Sequence, residues 1–452
     1  MPEQSARLLG PLFRTEAMRE IFSDRHRLQG MLDFESALAR ALVRVGIAPK
    51  AIARAIESQC DAKFSSMETL AQEAALAGNL AIPMVKALTG FVASEDEKAA
   101  GFVHWGATSQ DAIDTGMVLQ LRDAMDLMDR DLKKLAEVLT RLAEAHKTTL
   151  VAGRTWLQQG PPVTLGLKAA GWLDAIERDR ERIRESRKRV LVLQFGGAVG
   201  TLAAFGDHGL AVAAALADEL KLNLPSIPWH AHRDRFAEAA TTFGLLAGSL
   251  GKVARDISLM AQTEVGEVAE PDAPGRGGSS TMPHKRNPVG SAVVLAAAIR
   301  VPALVSVMLT SMVQEHERGL GGWHAEWETL PEICTLTAGA LVHLTYVLDG
   351  LVIHEDKMAA NLAITKGLSL SEAVASALAE KAGRMPAHKM VERASRRAAE
   401  TGRQLKDVLM EDADVRKQLS AADLTRLLDP SNYTGSAEKM IERVLSERKK
   451  KK

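Results

Sequence analysis

The amino-acid sequence predicts an all-α protein organised around long, nearly parallel helices, and three observations carry that prediction. Aromatic residues make up only 4% of the 452 residues and tyrosine occurs twice, while alanine, leucine, glutamate and arginine dominate, a helix-forming mixture. No long window alternates apolar and polar residues with the period of a strand. Instead, Leu121, Met125, Met128, Leu132, Leu135, Leu139 and Leu142 recur with seven-residue spacing, as do Phe236, Ala239, Phe243, Leu246, Leu250, Val253, Ile257 and Met260. Spacing of this kind specifies long helices packed side by side in a bundle.

Three segments follow in order. Residues 1–112 read as short helices separated by punctuation such as GIAPK, LAIP and GATSQD. Residues 113–356 hold the long helices. Within them, AVVLAAAIRVPALVSVMLTSMV and TLTAGALVHLTYVLDGLVI are apolar almost all round. Each must be buried on every side, by its own bundle or by other subunits, so an obligate oligomer is expected. Residues 357–452 are shorter in pattern and more charged, and read as a small helical cap. The closing ERKKKK reads as a solvated, frayed tail. There is no internal repeat and no low-complexity linker.

Charge and composition narrow the function classes. Lys+Arg and Asp+Glu both number 57, which argues against a nucleic-acid binder or an anionic-membrane binder and leaves room for a basic pocket. The longest apolar runs are broken by charge or proline, at Arg300 and Pro302, so no segment reads as membrane-spanning. The two cysteines, Cys60 and Cys334, accompany an N-terminal stretch without a secretory leader, and read as free thiols in a reducing cytoplasm. No HExxH, CxxC or GxxxxGK[ST] occurs, and the glycines of GRGGSS lack dinucleotide-binding spacing. Zinc, nucleotide phosphate and nicotinamide chemistry are therefore set aside, and no cofactor is expected. His230 and His232 in WHAHRDR could bind a metal, but a local hydrogen-bonding role is the stronger reading.

The stretch GRGGSSTMPHKRNP, residues 275–288, raises a sharper question. A serine hydroxyl has a very high pKa and works as a base only where cations and N–H donors stabilise its alkoxide. Glycines at 275, 277 and 278 let backbone amides turn towards a ligand and let the segment open and close. Lys285 can add positive charge and Asn287 a neutral donor. On composition alone, a glycine-rich surface connection with a basic edge is the stronger reading.

Two further stretches change that balance. HWGATSQDAIDT, residues 104–115, sits just before the first long helix, and GRTWLQQGPPVT, residues 153–164, just after its end. With GGSSTMPHKRNP, these resemble in order and spacing the three signature regions of the aspartase/fumarase superfamily, across nearly the whole chain. The resemblance implies a three-domain fold: a helical first domain, a central five-helix bundle carrying a catalytic loop over residues 270–288, and a small helical third domain. It also implies a homotetramer with one multi-helix core, its active sites each shared between three chains. Ser279 would be the general acid–base residue acting alpha to a carboxylate. Lys285 and Asn287 would stabilise an aci-carboxylate intermediate. His104, Thr108, Ser109, Arg154, Thr155, Trp156, Gln158 and Arg318 would bind a small tricarboxylate substrate.

One position departs from the superfamily pattern. Lyases that resemble this chain carry histidine after the threonine of the second motif, where Trp156 stands here. Tryptophan has no titratable proton and cannot protonate an amine or alkoxide leaving group. A carboxylate, pKa about 4, needs no such acid. In the reverse direction that chemistry is lactonisation, so the resemblance points to the family's lactonising cycloisomerases, and HERGLGGWHAEWETLP, residues 316–331, adds to it. An adenylosuccinate-type lyase, which releases fumarate by β-elimination, is the alternative. Whether His104, His284 or His324 assists proton transfer is left open.

Overall fold

The computed structural model describes residues 8–278, 281–282 and 285–451. Helices dominate, and the five longest among the described residues are Ser109–Ala145, Leu165–Val190, Asp234–Met260, Val289–Thr310 and Gly322–Asp349. Both seven-residue patterns fall inside these helices. All of Phe236 to Met260 in the second pattern is buried, and in the first only Leu142 is half-buried. Truncating any one of these buried leucines to alanine removes apolar contact and leaves a cavity, a cost of about 2–5 kcal/mol.

The chain divides into two compact units. The first comprises residues 1–133, 178–251 and 293–343, and the second residues 134–177, 252–292 and 344–452. Residues 1–112 thus lie in the first unit and residues 357–452 in the second. Residues 113–356 are divided between them, each long helix running from one unit into the other.

In the first unit, the helix Asp24–Arg44 opens on Ser23, whose side chain accepts from the His26 N–H and satisfies a free donor of the first turn. This helix packs on Gly209–Leu220 and Lys50–Gln59. Gly30 lies against Gly116; a Cβ there would sit 3.1 Å from the Gly116 carbonyl, so a side chain would push the two helices apart. Phe34, Phe195 and Phe205 form a tilted aromatic chain, with centroids 6.2 and 5.5 Å apart. It anchors the loop that follows Phe195.

In the second unit, residues 150–164 form an antiparallel hairpin, β1 (Leu150–Thr155) and β2 (Gln158–Thr164). Period-two alternation could not reveal it, because Pro161 and Pro162 lie inside the second strand and break its apolar–polar pattern. A register shift lies at Gly153, where a Cβ would meet the Pro161 carbonyl at 2.4 Å. The C-terminal helices have a core of their own around Val374, Leu378, Val391, Leu405, Leu409 and Leu424. The basic C-terminus is corrected in part. Its last helix, Ala437–Lys451, continues to Lys451 instead of fraying, although Lys449 and Lys450 are exposed.

A second correction concerns the apolar runs. Val289–Thr310 and Gly322–Asp349 are each long and apolar enough to cross a membrane, and in the first Arg300 and Pro302 are absorbed into one continuous helix. The two differ in burial: 72% of the most apolar window of Gly322–Asp349 is buried, against 33% of that of Val289–Thr310. Ile299, Val307 and Leu309 lie exposed on the latter.

Candidate active site

In the first unit, the site is built at the start of the Ser109–Ala145 helix. Thr108 precedes the helix, and the Asp111 carboxylate reaches back to accept from the Thr108 N–H at 3.0 Å, half of a capping box. Asp111 is fully buried. It also accepts from the amides of Gly196 and Gly197, at 3.0 and 2.9 Å, and pairs with His230 Nε2 at 2.7 Å. One carboxylate thereby ties the helix end to the glycine loop 195–201 and to the WHAHRDR segment. His230 has its carboxylate partner, supplied from a distant part of the chain. Among the described residues, no group of three or more His, Cys, Asp or Glu is placed to hold a metal ion.

The Thr108 hydroxyl, free of capping duty, accepts from Arg318 Nη2 at 3.1 Å. The same nitrogen donates to the Ala198 carbonyl at 3.0 Å, and Arg318 Nε donates to Gln110 Oε1 at 3.1 Å. Two residues expected from sequence to bind substrate, Thr108 and Arg318, are thus brought together. Ser109, the first residue of the helix, is half-buried beside them in sequence, near backbone donors that the helix leaves free for an anion.

His104 lies in the same turn, at a φ of 57° that is unusual for a residue with a side chain. Buried Glu35 brackets it: Oε2 accepts from the His104 N–H at 3.1 Å, and Oε1 lies 2.5 Å from Nδ1. Burial alone would lower the His104 pKa. The charge and hydrogen bond of Glu35, with a smaller contribution from Asp111, outweigh it and raise the pKa above the ordinary imidazole value. His104 is therefore inclined to stay protonated. His324 sits elsewhere, with Nε2 3.3 Å from the Gly78 carbonyl and its ring against Trp327.

Behind Gln110 lies a buried ionic cluster. Arg233, wholly enclosed, pairs with Asp114 at 2.6 Å and Glu326 at 2.5 Å, its guanidinium about 5 Å from the rings of Trp229 and Phe236. Trp323 Nε1 donates to Asp114 at 2.9 Å. Burial pushes the Glu326 carboxyl up to about 7 against the pull of Arg233, and Asp114 beside it adds to the rise.

In the second unit, four of the expected site residues share the hairpin. Trp156 and Leu157 form its two-residue turn with φ of 53° and 63°, a left-handed pair that favours Asn-Gly. Both side chains project outward, Trp156 being 98% exposed, and Thr155 and Gln158 flank them, also exposed. A strained turn that presents a bare tryptophan is a hypothesis of function before it is one of packing. Arg154 is differently placed. It makes a bidentate pair with buried Glu267, at 2.9 and 2.6 Å, and Asn361 Nδ2 donates to the same carboxylate at 2.9 Å. Much of its charge is therefore neutralised within the chain.

Asn287 closes the base of the glycine-rich loop. Its backbone N–H and Nδ2 both donate to the Gly277 carbonyl, at 2.9 and 3.1 Å. A Cβ at Gly277 would meet the Asn287 carbonyl at 2.8 Å, and the φ of 68° there also favours glycine. Glu270 pins the other end by accepting from the amides of Gly290 and Ser291 at the start of the next helix. Lys285 is exposed, and its N–H donates to the Met282 carbonyl. Ser279 and His284 lie outside the described residues. The supporting residues Glu35, Glu267, Glu270 and Asn361 were missed in sequence because they lie in no motif, and Gln110 and Asp111, although inside HWGATSQDAIDT, because their partners are distant in sequence.

Comparison with known proteins agrees with this architecture. A family described as Lyase matches residues 13–303, and one described as Adenylosuccinate lyase C-terminus matches residues 367–444. The chain is 57% identical over 440 residues to a 3-carboxy-cis,cis-muconate cycloisomerase of Pseudomonas aeruginosa, covering 97% of this chain and 96% of that one. Among solved structures it is similar to a 3-carboxy-cis,cis-muconate lactonizing enzyme from Pseudomonas putida, with a TM-score of 0.93, 52% identity, and 98% and 99% of the two chains covered. It is also similar to the β-carboxy-cis,cis-muconate cycloisomerase of Acinetobacter calcoaceticus, with a TM-score of 0.92, 44% identity, and 98% and 100% covered.

Proposed function

The chain belongs to the lyase family of the aspartase/fumarase superfamily, and on that premise we propose that it is a cycloisomerase that lactonises 3-carboxy-cis,cis-muconate to carboxymuconolactone. The observation that carries this reading is the 57% identity to a cycloisomerase across 97% of the chain. Trp156, at the position where a proton-donating histidine would serve an eliminating lyase, supports it from the chemistry. One carboxylate of the substrate adds across a double bond within the same molecule, and one proton goes to the carbon alpha to another carboxylate.

Ser279 delivers that proton. Lys285 and Asn287, together with the loop amides, hold the aci-carboxylate that develops. Arg318 and Thr108 bind a second carboxylate, and Trp156 shapes a dry pocket that bends the substrate into a near-attack conformer. The chain works as a homotetramer whose sites each draw on three chains. The exposed tryptophan of the hairpin and the exposed apolar face of Val289–Thr310 support this, since both need a cover that a single chain does not supply. Sedimentation should then give about 195 kDa, four times 48.7 kDa. A monomer that is fully active would refute the shared site.

The enzyme acts in the cytoplasm on an intermediate of aromatic catabolism. It needs neither metal nor organic cofactor, because cationic side chains and one acid–base group supply every step. Activity lost on EDTA dialysis and regained with a divalent ion would overturn that statement. The test of the reaction itself is an absorbance assay on purified protein. Loss of the diene absorbance of 3-carboxy-cis,cis-muconate is expected, with no turnover of adenylosuccinate. The opposite pattern would establish the β-eliminating lyase instead.

A further inference from the structure

The bonds around Gln110 reach further than the binding of substrate. Its side chain is wholly buried, and its amide is surrounded by groups of fixed polarity. Nε2 lies 3.0 Å from Asp114 Oδ2 and 2.8 Å from the His230 carbonyl, both acceptors. Oε1 lies 3.1 Å from Arg318 Nε, which can only donate. The reverse amide orientation would set oxygen against two oxygens and NH2 against a guanidinium, so the network itself assigns the orientation. Asp114 has no freedom to relax, because both its oxygens are taken by Arg233 and Oδ1 also accepts from Trp323. Arg233 is held in turn by Glu326.

We infer that Gln110 is the positioning residue for Arg318, and that the buried Asp114–Arg233–Glu326 cluster exists to lock its amide. The consequence is geometric. Gln110 takes the Arg318 Nε–H, while Thr108 and Ala198 take Nη2. Nη1 is thereby the Arg318 nitrogen without a protein partner among the described residues, aimed by three fixed acceptors and open to a substrate carboxylate. A guanidinium on a long, exposed side chain would otherwise sample many orientations and lose entropy on binding. This inference rests on the reading of Arg318 as a substrate-carboxylate contact.

The test is a double-mutant cycle with Gln110→Met and Arg318→Met, each variant first checked for folding by circular dichroism. KM and kcat are measured on 3-carboxy-cis,cis-muconate. Gln110→Met should raise KM by about 10- to 100-fold and lower kcat by less than about fivefold, because an aimed cation contributes mainly uniform binding. On the Arg318→Met background, the same substitution should change KM by less than about twofold. Multiplicative effects in the double variant, or a fall in kcat with KM unchanged, would overturn the inference and leave Gln110 a packing residue. The same cycle is read by titration calorimetry with tricarballylate as the tricarboxylate probe. If wild type fails to turn over the muconate, the proposed reaction is wrong, while coupling between Gln110 and Arg318 in tricarballylate binding still decides the positioning role.

Discussion

The turn at residues 104–108, with Arg318 bonded to it, and the hairpin tip at residues 154–158 both carry side chains expected to meet substrate, yet they are built in opposite ways. At the turn, each candidate is held from behind by a buried acid or amide: Thr108 by Asp111, Arg318 by Gln110, His104 by Glu35. At the hairpin tip, Trp156 and Leu157 stand in a strained left-handed turn with their side chains in the open. In the first region these braces all come from the same chain. The second is finished only at its base, where Glu267 and Asn361 hold Arg154. Preorganisation needs a second layer of bonds, and a chain can supply that layer only where it folds back on itself. The hairpin instead carries its conformational strain at a tip whose side chains are exposed.

The sharpest way to break this contrast is to alter one side and look for the effect on the other. The largest change in rate should come from the glycine-rich loop. Ser279→Ala should lower kcat by about 10²–10⁴-fold, the usual contribution of a placed acid–base group, with an unchanged melting temperature. Near-normal turnover would move the proton to another donor. The largest change in stability should come from the braced region. Arg233→Met leaves Asp114 and Glu326 buried without their cation and should destabilise the fold by about 3–5 kcal/mol, read by denaturant unfolding. A loss under about 1 kcal/mol would mean that the cluster is not the brace described here.

A middle-sized effect belongs to the hairpin tip. Trp156→His should reduce kcat/KM about tenfold, roughly 1.4 kcal/mol of transition-state stabilisation, because a smaller polar ring would admit water to the pocket proposed for the assembled enzyme. A faster variant with a new pH dependence near the imidazole range would show that an acid was wanted at this position after all.

The smallest effect concerns His104. Its pKa is raised in the folded chain, so the folded state keeps a proton that the unfolded chain releases at lower pH. The stabilisation is fully present below the unfolded imidazole pKa of about 6.5 and is lost as pH rises through the folded value. Thermal melts of wild type should therefore fall with pH across this window more steeply than those of His104→Gln. Parallel curves would show that the pair with Glu35 does not couple to folding.

Much of this molecule was legible in its sequence because the information is local. Helix content and the seven-residue burial pattern depend on residues near one another along the chain, where periodicity acts directly, and the three motifs were legible through their resemblance to the superfamily. Thr108 and Ser109 were legible through the resemblance that their motif carries, and the long helix begins inside that motif, at Ser109, instead of after it. What the tertiary structure alone decided is pairing over long separations. Asp111 meets His230 across 119 residues, Arg233 meets Glu326 across 93, and Arg154 meets Glu267 across 113. A carboxylate in a helical sequence looks the same whether it faces water or a buried guanidinium, since only chain topology brings the partner. The hairpin escaped for a related reason. Pro161 and Pro162 hide its alternation, and Trp156 gives no local sign that it would stand in a left-handed turn with its ring exposed. Local physics determined the helices and the chemistry that the motifs carry; the fold determined which of those side chains are braced and which are offered outward.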